Sequence, residues 1–503
     1  MSITTDVQRT APSPIELEPG RLFIDGEWCD SSSGERAVTI NPATEEEIAT
    51  VAKATPDDAG RAAAAAARAF EESGWATLRG SERAMVLLRI ADLIDASAPE
   101  LAYRESVDMG MLYQDAATVV VPHIANMFRY YSGWPSKFDG SLRRAEPLPG
   151  VAERLLAFTR REPLGVVAAV TPFNFPLVLS VSKIAPALAA GNCVVHKPAS
   201  DTPLSALKLA EIMEQAGLPA GVYNTVTGPG RSVGDALISA PEVDKIAFTG
   251  STAVGRGLAK SGAETFKHIT LELGGKSPNI VFADADLDQA TATSYFACMW
   301  NKGEVCVAGS RLLVQEPITT EVLDRMMAYA ESAVIGDPLD PRTMVGPLAS
   351  KAEFDKVVAY IEIGKSEGAP LVAGGGTRSL DGKGFFVEPT IFGPTDNSKT
   401  IAREEIFGPV LTVIPFGTFD EAIRLANDTP YGLASGVQTG DYRTAIAAAE
   451  QLKAGTVWIN TWHHYDPSAP FGGYKQSGYG REHGPESLDA YTQVKTVWME
   501  LER

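Results

Sequence analysis

The chain has 503 residues, a formal net charge of −19 and a pI near 4.9. Its length indicates two or three domains, and its 45% hydrophobic and 21% charged residues are typical of an ordinary globular protein. The acidic balance argues against a nucleic-acid partner, since proteins that bind nucleic acid carry a basic stripe. A small anionic cofactor can still bind at helix N-termini and a few lysines.

The start of the chain and its cysteines predict a cytoplasmic protein. No apolar run reaches the ~18–20 residues that a membrane span needs, so no membrane partner is expected. Residues 1–20 lack the features of a secretory signal and are predicted to form an N-terminal arm. The sparse cysteines do not suggest a disulfide framework, and no paired spacing indicates a metal site. These cysteines are Cys29, Cys193, Cys298 and Cys306.

The first part of the chain predicts short strands and then helices. Residues 23–51 contain short apolar runs broken by turns, whereas the alanine-rich residues 57–73 and then residues 81–110 are typical of helices. Residues 133–150 indicate a linker. Residues 154–172 follow as strands.

Alternating strand and helix patterns then predict two α/β regions. From about residue 163 to 276 the alternation indicates βαβ units and a parallel sheet, with ligands expected at the carboxyl ends of its strands. A second α/β stretch covers about residues 277–470. The tail, residues 489–501, alternates like an edge strand that pairs with another subunit or covers an open edge.

Three short motifs offer contacts for a phosphate or a ribose. FTGSTAVG places Gly250 between a strand and a helix that opens at Ser251, where the helix N-terminus can hold a pyrophosphate. TGPGRSVG, residues 227–234, is a second such junction, and Lys197 in HKPAS ends an apolar strand. Each has an ordinary alternative, a plain turn or a solvated lysine, and none is specific by itself.

Three further motifs carry groups suited to covalent catalysis. Cys306 lies in NKGEVCVAGSR, where backbone N–H groups and Lys302 would favour a thiolate and Glu304 would oppose it. Glu272 lies between two leucines in TLELGGKSP, and desolvation there would raise its pKa toward that of a general base. Asn174 in TPFNFP can donate to an oxyanion. An inert thiol, a surface carboxylate and a local turn amide are the open alternatives.

Taken together, the motifs resemble those of one enzyme family. TPFNFP, KPAS, FTGSTAVG, LELGGKSP, NKGEVCVAGSR, EEIFGPV and PFGGYKQSGYGRE occur in the order and spacing of the aldehyde dehydrogenase superfamily. The resemblance extends from residue 40 to the tail. It implies an α/β fold with a Rossmann-like cofactor domain, an α/β catalytic domain and a small β oligomerisation element.

By this resemblance the reaction is the non-phosphorylating, NAD(P)-dependent oxidation of an aldehyde to a carboxylic acid. Cys306 is the implied nucleophile, which passes through a thiohemiacetal and a thioester. The Asn174 amide and the Cys306 backbone N–H hold the oxyanion, and Glu272 activates the water that hydrolyses the thioester. Cofactor contacts are implied at Thr171, Phe173, Lys197, Ser200, Gly230, Gly234, Phe248, Gly250, Ser251, Val254, Leu273, Glu405 and Phe407.

Departures from the family pattern bear on the cofactor and the substrate. Ser200 stands where strict NAD users often carry a glutamate that repels a 2′-phosphate, and Arg231 is expected to lie close enough in space to help, so NADP should be tolerated as well as NAD. Ser182 stands at a cleft position that is often tryptophan. The substrate is expected to be a medium-sized apolar or aromatic aldehyde. Its predicted pocket comprises Phe175, Val178, Leu179, Ser182, Tyr465, Phe471, His123 and His463, with His464 beside them.

The resemblance also implies a domain division and an assembly. Residues 21–140 and 161–276 form the cofactor domain, and residues 277–475 form the catalytic domain. Residues 141–160 and 485–503 form the oligomerisation element of a homodimer or homotetramer. Two alternatives stay open. A CoA-acylating semialdehyde dehydrogenase is disfavoured by Glu272, and a non-catalytic scaffold relative should have lost one of the three catalytic residues.

Overall fold

A computed structural model describes residues 11–144, 146 and 155–501. The first half of the predicted arm (residues 1–10) and part of the predicted linker (residues 145 and 147–150) lie outside the described residues, as do residues 151–154 and 502–503. In the part of the chain that is described, no helix is long and apolar enough to cross a membrane.

The strands and helices of the first region follow the predicted alternation. Its strands are β1 (Leu22–Ile24), β2 (Glu27–Cys29), β3 (Arg36–Ile40), β4 (Glu47–Ala52), β5 (Leu142–Arg144), β6 (Leu155–Pro163), β7 (Val166–Val170), β8 (Cys193–Lys197), β9 (Tyr223–Thr225), β10 (Lys245–Thr249) and β11 (His268–Glu272). Its helices are α1 (Pro56–Glu72), α2 (Gly80–Ala96), α3 (Ala98–Met109), α4 (Tyr113–Asp115), α5 (Val121–Ser132), α6 (Pro176–Ala190), α7 (Leu204–Gln215), α8 (Asp235–Ser239) and α9 (Thr252–Ala263).

The second region continues the same pattern. Its strands are β12 (Pro278–Val281), β13 (Arg311–Gln315), β14 (Leu371–Ala373), β15 (Thr377–Leu380), β16 (Lys383–Val387), β17 (Thr390–Phe392), β18 (Val410–Phe416), β19 (Ala434–Gln438), β20 (Thr456–Ile459), β21 (Gly478–Tyr479) and β22 (Thr492–Glu500). Its helices are α10 (Leu287–Met299), α11 (Thr319–Ser332), α12 (Lys351–Ser366), α13 (Thr400–Arg403), α14 (Phe419–Asn427), α15 (Tyr442–Gln451) and α16 (Glu486–Asp489).

Two mostly parallel sheets carry the core. The first has the order β2-β1-β9-β8-β7-β10-β11-β21, with β9 to β11 parallel and the edge strands antiparallel. The second has the order β14-β17-β18-β13-β12-β19-β20. The central strands of both are buried almost throughout, which explains their continuous apolar sequences. Parallel strands direct their carboxyl ends to the same edge, so Lys197, Thr249 and Glu272 end adjacent parts of one sheet.

A small antiparallel sheet joins the tail to the middle of the chain. β22 pairs with β6 along its whole length, from Thr492 opposite Pro163 to Glu500 opposite Leu155, and β5 pairs with the other side of β6. The tail is thus a strand of its own chain's sheet. The prediction of a linker over residues 133–150 was wrong at residues 142–144, because β6 offers its free edge to β5 there.

The start of α1 shows how local sequence signals are used. Thr55 caps the helix, and Asp58 completes a capping box by accepting hydrogen bonds from the Thr55 backbone N–H and hydroxyl. Asp58 also accepts from Ser31 Oγ and the Ser32 N–H, which ties the helix to the loop after β2. Burial alone would raise the pKa of Asp58, but these hydrogen bonds outweigh it and lower that pKa.

We expect Asp58→Ala to lower the free energy of unfolding by about 1–3 kcal/mol, because buried N–H and O–H donors lose a charged acceptor. The loss should be full at neutral pH and shrink below about pH 4, since a carboxylate with a lowered pKa stabilises only while it is ionised. Thermal melts of Asp58→Ala and of Asp57→Ala, an exposed neighbour in the same turn, are the measurement. Equal melting temperatures for the two variants would contradict the assignment.

Candidate active site

A tight turn presents the predicted nucleophile. Between α10 and β13, residues Trp300–Gly303 form a 3-10 turn in which Asn301 and Lys302 have φ of 46° and 50°. Residues other than glycine rarely adopt this left-handed backbone conformation, so the surrounding contacts must hold both residues in place. Cys306 follows the turn and lies half-buried on the wall of a large cavity.

Hydrogen bonds join this turn to the loop that precedes α6. The side-chain amide of Asn174 donates to the backbone carbonyl of Glu304 (2.8 Å), and the Asn301 amide donates to the backbone carbonyl of Asn174 (2.9 Å). Asn174 is buried and lines the same cavity as Cys306. An amide nitrogen carries two hydrogens, so one of them can still serve an oxygen near the sulfur.

Lys302 and Glu304 support the turn rather than the sulfur. Their charged groups are fully buried 3.4 Å apart. Lys302 Nζ also donates to the backbone carbonyl of Met109 (2.8 Å), and the Glu304 carboxylate accepts from the Ala349 N–H (3.0 Å). These contacts favour a role for the pair in shaping the loop, and tuning of the Cys306 thiol by Lys302 stays a prediction.

Two other carboxylates act on the Cys306 thiol. Burial raises the pKa of Cys306, and the charges of Glu405 and Glu272 raise it further. The backbone N–H groups of Val307 and of Cys306 itself act in the opposite direction. The cysteine is therefore a thiol at neutral pH, and conversion to the thiolate would require a base beside it.

Glu272 is the buried carboxylate that the sequence suggested. It ends β11, is 4% exposed, and lies opposite Gly478 of β21. Neither of its carboxylate oxygens has a hydrogen-bond partner in the described part of the chain. Burial raises the pKa of Glu272 well above its usual value, and the charge of Glu482 adds to this effect. A carboxylate in this state is a stronger base than one in water.

Glu482 and Lys183 were missed from the sequence. Lys183 Nζ forms a buried ion pair with the Glu482 carboxylate and also donates to Thr249 Oγ1 (2.6 Å). The second Glu482 oxygen accepts from Ser182 Oγ (2.8 Å). Signals for both were present, since Lys183 interrupts an otherwise apolar helix and Glu482 ends the motif PFGGYKQSGYGRE.

The cavity beside Cys306 has a volume of about 530 Å³, within the range of small-molecule sites. The structure brings all the predicted pocket residues to its wall, including His464. The sequence analysis missed several more. They are Asp115, Thr118, Val119, Val120, Phe296, Trp300, Val305, Trp462, Glu482 and His483.

Aromatic and imidazole rings dominate this wall. Trp300 packs against Phe175 at 5.2 Å and against His463 at 4.8 Å between ring centroids. Burial lowers the pKa of His463 to about 3 and that of His483 to about 4, and it also lowers the pKa of His123. These imidazoles are therefore largely neutral at pH 7. No lysine or arginine is found among the described residues of the wall.

The predicted cofactor residues around α9 lie at the edge of the first sheet. A side chain at Gly250 would meet the Phe248 ring at 2.5 Å, so any other residue in this turn would have to displace that ring. Ser251 caps α9 by accepting from the Val254 N–H, and Val254 is half exposed. Leu273 packs beneath the same helix, where a side chain at Gly255 would meet it at 2.4 Å.

A second group of predicted cofactor residues follows β8 and β9. Lys197 is buried, burial lowers its pKa to about 8, and its Nζ donates to the Pro198 carbonyl (2.7 Å). A side chain at Gly234 would touch the Lys197 stem, whereas Gly230 has open space around it. Ser200 Oγ donates to the Gly228 carbonyl (2.8 Å).

The remaining cofactor candidates are Glu405, Phe407, Phe173 and Thr171. Glu405 accepts a hydrogen bond from the Gly275 N–H (3.0 Å). The Phe407 and Phe173 rings meet edge to face at 5.7 Å. Thr171 lies deeper, since its hydroxyl contacts the buried imidazole of His196 at 3.0 Å.

These residues fit an anionic dinucleotide. The N-terminus of α9 lies beside Gly250, and Lys197 retains N–H donors beyond the one given to Pro198. Open space at Gly230 and the half-exposed Val254 leave room for a flat ring system. The Glu405 end of this surface reaches Cys306, whose pKa responds to the Glu405 charge.

Comparisons with known proteins agree on one family. The profile of the aldehyde dehydrogenase family matches residues 28–497. An aldehyde dehydrogenase of Enchytraeus buchholzi is 45% identical over 493 residues, covering 97% of this chain and 98% of that protein. A solved structure of a Bacillus cereus aldehyde dehydrogenase in complex with NAD+ has a TM-score of 0.94 at 43% identity, covering 98% and 100% of the two chains. An indole-3-acetaldehyde dehydrogenase mutant of P. syringae, solved with NAD+ and IAA, has a TM-score of 0.92 at 42% identity, covering 96% and 97%.

We expect Glu405→Gln to speed alkylation of Cys306 several-fold near neutral pH, because removing that negative charge lowers the pKa of the thiol. The rate of inactivation by iodoacetamide, measured as a function of pH, gives the midpoint directly. Glu404→Gln is the matched control. The Glu404 carboxylate is next to Glu405 in the sequence, but it accepts a hydrogen bond from the Tyr360 hydroxyl. Overlapping pH profiles for Glu405→Gln and the unmodified protein would refute this account.

Proposed function

This chain belongs to the aldehyde dehydrogenase family, and from that premise we propose a mechanism, a substrate class and a cofactor range for it. It is an NAD-dependent aldehyde dehydrogenase. The proposal rests on one observation above others: Cys306, Asn174 and Glu272 come from separate parts of the chain and converge on one site. Asn174 and Cys306 share the cavity wall, and the charge of Glu272 acts on the Cys306 thiol.

Cys306 attacks the aldehyde carbon and forms a thiohemiacetal. Its proton goes to a buried base, for which Glu272 is suited because its raised pKa and unpartnered oxygens favour accepting one. The oxygen of the aldehyde develops negative charge. The Asn174 amide and the Cys306 backbone N–H stabilise that charge, with each donor contributing about 3–4 kcal/mol to the lowered barrier.

NAD, when bound along Lys197, Gly250 and Glu405, supplies the acceptor for the hydride that leaves the thiohemiacetal. Glu272 first releases the proton that it took from Cys306 and then, as a carboxylate again, takes a proton from the water that hydrolyses the Cys306 thioester to the carboxylic acid. The proton must leave Glu272 before the next turnover.

The substrate is a medium-sized apolar or aromatic aldehyde. The rings of Phe175, Trp300 and Tyr465 supply an apolar wall, and the buried imidazoles are neutral. A semialdehyde carboxylate would meet no cation among the described wall residues, and the acidic Glu482 lies there instead. The similarity to an indole-3-acetaldehyde dehydrogenase agrees with an aromatic substrate.

The two alternatives are weaker on the same residues. A CoA-acylating enzyme needs the thioester to survive until CoA arrives, which a water-activating base at Glu272 would prevent. A non-catalytic relative would not need Cys306, Asn174 and Glu272 together. The domain division, a cytoplasmic location and a homodimeric or homotetrameric assembly stay predictions.

We expect Cys306→Ala to abolish aldehyde oxidation and Glu272→Gln to lower kcat by about 10²–10⁴-fold, because the first removes the nucleophile and the second the base. Both variants should still bind NAD, as measured by the quenching of protein fluorescence. Glu264→Gln, an exposed carboxylate at the end of α9, is the control and should keep full activity. Turnover by Cys306→Ala, or acceleration of the unmodified enzyme by CoA, would rule out this mechanism.

We expect NADP to bind within about tenfold of NAD, since Ser200 places no charge beside a 2′-phosphate, and Ser200→Glu to weaken NADP by about tenfold or more through charge repulsion. The measurement is the dissociation constant of each dinucleotide. Ser200→Gln, which is neutral and similar in size to Ser200→Glu, separates the effect of charge from the effect of bulk. Efficiency with NADP far below that with NAD in the unmodified enzyme would disprove NADP tolerance.

A further inference from the structure

Two histidines face each other on the wall of the cavity beside Cys306. His123 lies on α5 and His483 lies in the loop between β21 and α16, and their ring centroids are 6.0 Å apart at an interplanar angle of 66°. They come from opposite ends of the chain, so the fold alone brings them together. Neither ring takes part in the mechanism proposed for Cys306, Asn174 and Glu272.

The ring nitrogens of this pair are unused. No hydrogen bond joins His123 or His483 to another side chain or carbonyl in the described part of the chain, whereas His463 on the same wall contacts the Ala297 carbonyl (3.2 Å) and the Tyr465 hydroxyl (3.3 Å). Burial lowers the pKa of His483 to about 4 and also lowers that of His123, so both are largely neutral at pH 7. A neutral imidazole carries one N–H donor and one acceptor nitrogen, so the pair offers two of each to an occupant of the cavity.

The surrounding loop fixes the position of His483. Its backbone has a φ of 58°, which residues other than glycine rarely adopt. The backbone of the preceding residue, Glu482, exchanges two hydrogen bonds of 2.7 Å with that of Phe471, and its carboxylate is bound by Lys183 and Ser182. These contacts hold the loop and leave the Glu482 oxygens engaged, so the imidazole of His483 is in place before a ligand binds.

A row of aromatic rings leads from Cys306 to the histidine pair. Burial raises the pKa of Tyr465, and the nearby charge of Cys306 adds to this rise, which places the phenol beside the sulfur. The Tyr465 ring meets the Phe471 ring edge to face at 6.0 Å, and Phe471 lies 6.2 Å from His483. The two aromatic rings therefore suit the body of an aromatic aldehyde whose carbonyl group lies at Cys306, and the histidines lie beyond them.

The unused nitrogens determine which chemical group the pair can bind. A hydroxyl group can donate to one imidazole and accept from the other, whereas an ether oxygen can only accept and a methyl group does neither. A carboxylate can only accept, and no lysine or arginine among the described residues of the wall would offset its charge. A hydroxyl group is therefore the group that uses both imidazoles without bringing a charge into the cavity.

We propose that His123 and His483 form a subsite for a hydroxyl group at the distal end of an aromatic aldehyde whose carbonyl group lies at Cys306. This inference rests on the proposed function and narrows its substrate class to hydroxyaryl aldehydes. The phenolic O–H donates to the acceptor nitrogen of one imidazole, and its oxygen accepts from the N–H of the other. The aromatic ring of the substrate packs on Tyr465 and Phe471.

The test compares kcat/KM for 4-hydroxyphenylacetaldehyde, 4-methoxyphenylacetaldehyde and phenylacetaldehyde. In these compounds a methylene group separates the ring from the aldehyde carbon, so the substituent hardly alters the reactivity of that carbon. Two neutral hydrogen bonds should raise kcat/KM for the hydroxyl compound about five- to tenfold over the parent, and the methoxyl compound, which cannot donate, should gain less than about twofold. The same three substituents on 3-phenylpropanal repeat the comparison at a greater length.

Variants of the two histidines assign the effect. His123→Leu and His483→Leu should each bring the ratio of hydroxyl to parent efficiency to within about twofold of one, because each removes a donor and an acceptor. His483→Gln, which keeps one of each, should retain a preference for the hydroxyl compound. The matched control is His268→Leu, at an exposed histidine that begins β11 outside the cavity, and it should leave the ratio unchanged.

The outcomes separate this inference from the proposed function, because all the aldehydes share one reacting group. If the unmodified enzyme oxidises the parent aldehydes but gains nothing from the hydroxyl group at either length, the subsite is refuted while the aldehyde dehydrogenase mechanism stands. The subsite is also refuted if the methoxyl compounds gain as much as the hydroxyl compounds, or if both leucine variants keep the gain. Failure to oxidise any of these aldehydes refutes the proposed function together with the subsite.

Discussion

Burial of the Glu272 carboxylate without a hydrogen-bond partner is the constraint on which the rest of the site depends. A carboxylate in that position is costly while ionised, so its pKa rises and it becomes a base. The fold can hold it there because β11 ends at the edge of a stable parallel sheet, with β21 covering its outer side. The strand pairing and the buried core around Glu272 offset the unfavourable free energy of burying its carboxylate.

The same electrostatics set the resting state of the nucleophile. The carboxylates of Glu272 and Glu405 both raise the pKa of Cys306, so the sulfur is held as a thiol rather than as a permanently reactive thiolate. Glu482 is bound by Lys183 and Ser182 and in turn raises the pKa of Glu272. The acid groups of the site therefore act as one coupled set.

The shape of the cavity beside Cys306, rather than charge on its wall, limits which molecules the cavity can hold. Rings from Phe175 just before α6, from the end of α10 and from the loop after β20 meet around the cavity, and burial keeps the His463 imidazole neutral. Trp300 is central to this arrangement. It packs against Phe175 and His463, is bound by Asp115, and leads into the strained turn that carries Cys306. Substrate contacts at Trp300 thus lie one short segment away from the reacting sulfur.

Much of this protein could be predicted from the sequence alone. Alternating strand and helix patterns predicted two α/β regions, because apolar periodicity and turn residues are local properties. The motifs around Cys306, Asn174 and Glu272 predicted the family for the same reason, and the pocket residues near Val178 and Tyr465 lie on the cavity wall. Only the tertiary structure showed that Lys302 pairs with Glu304 and that the charge of Glu405 acts on the Cys306 thiol. It alone brought Lys183 to Glu482. Charge and packing across hundreds of residues depend on distances in space, which spacing along the chain does not specify.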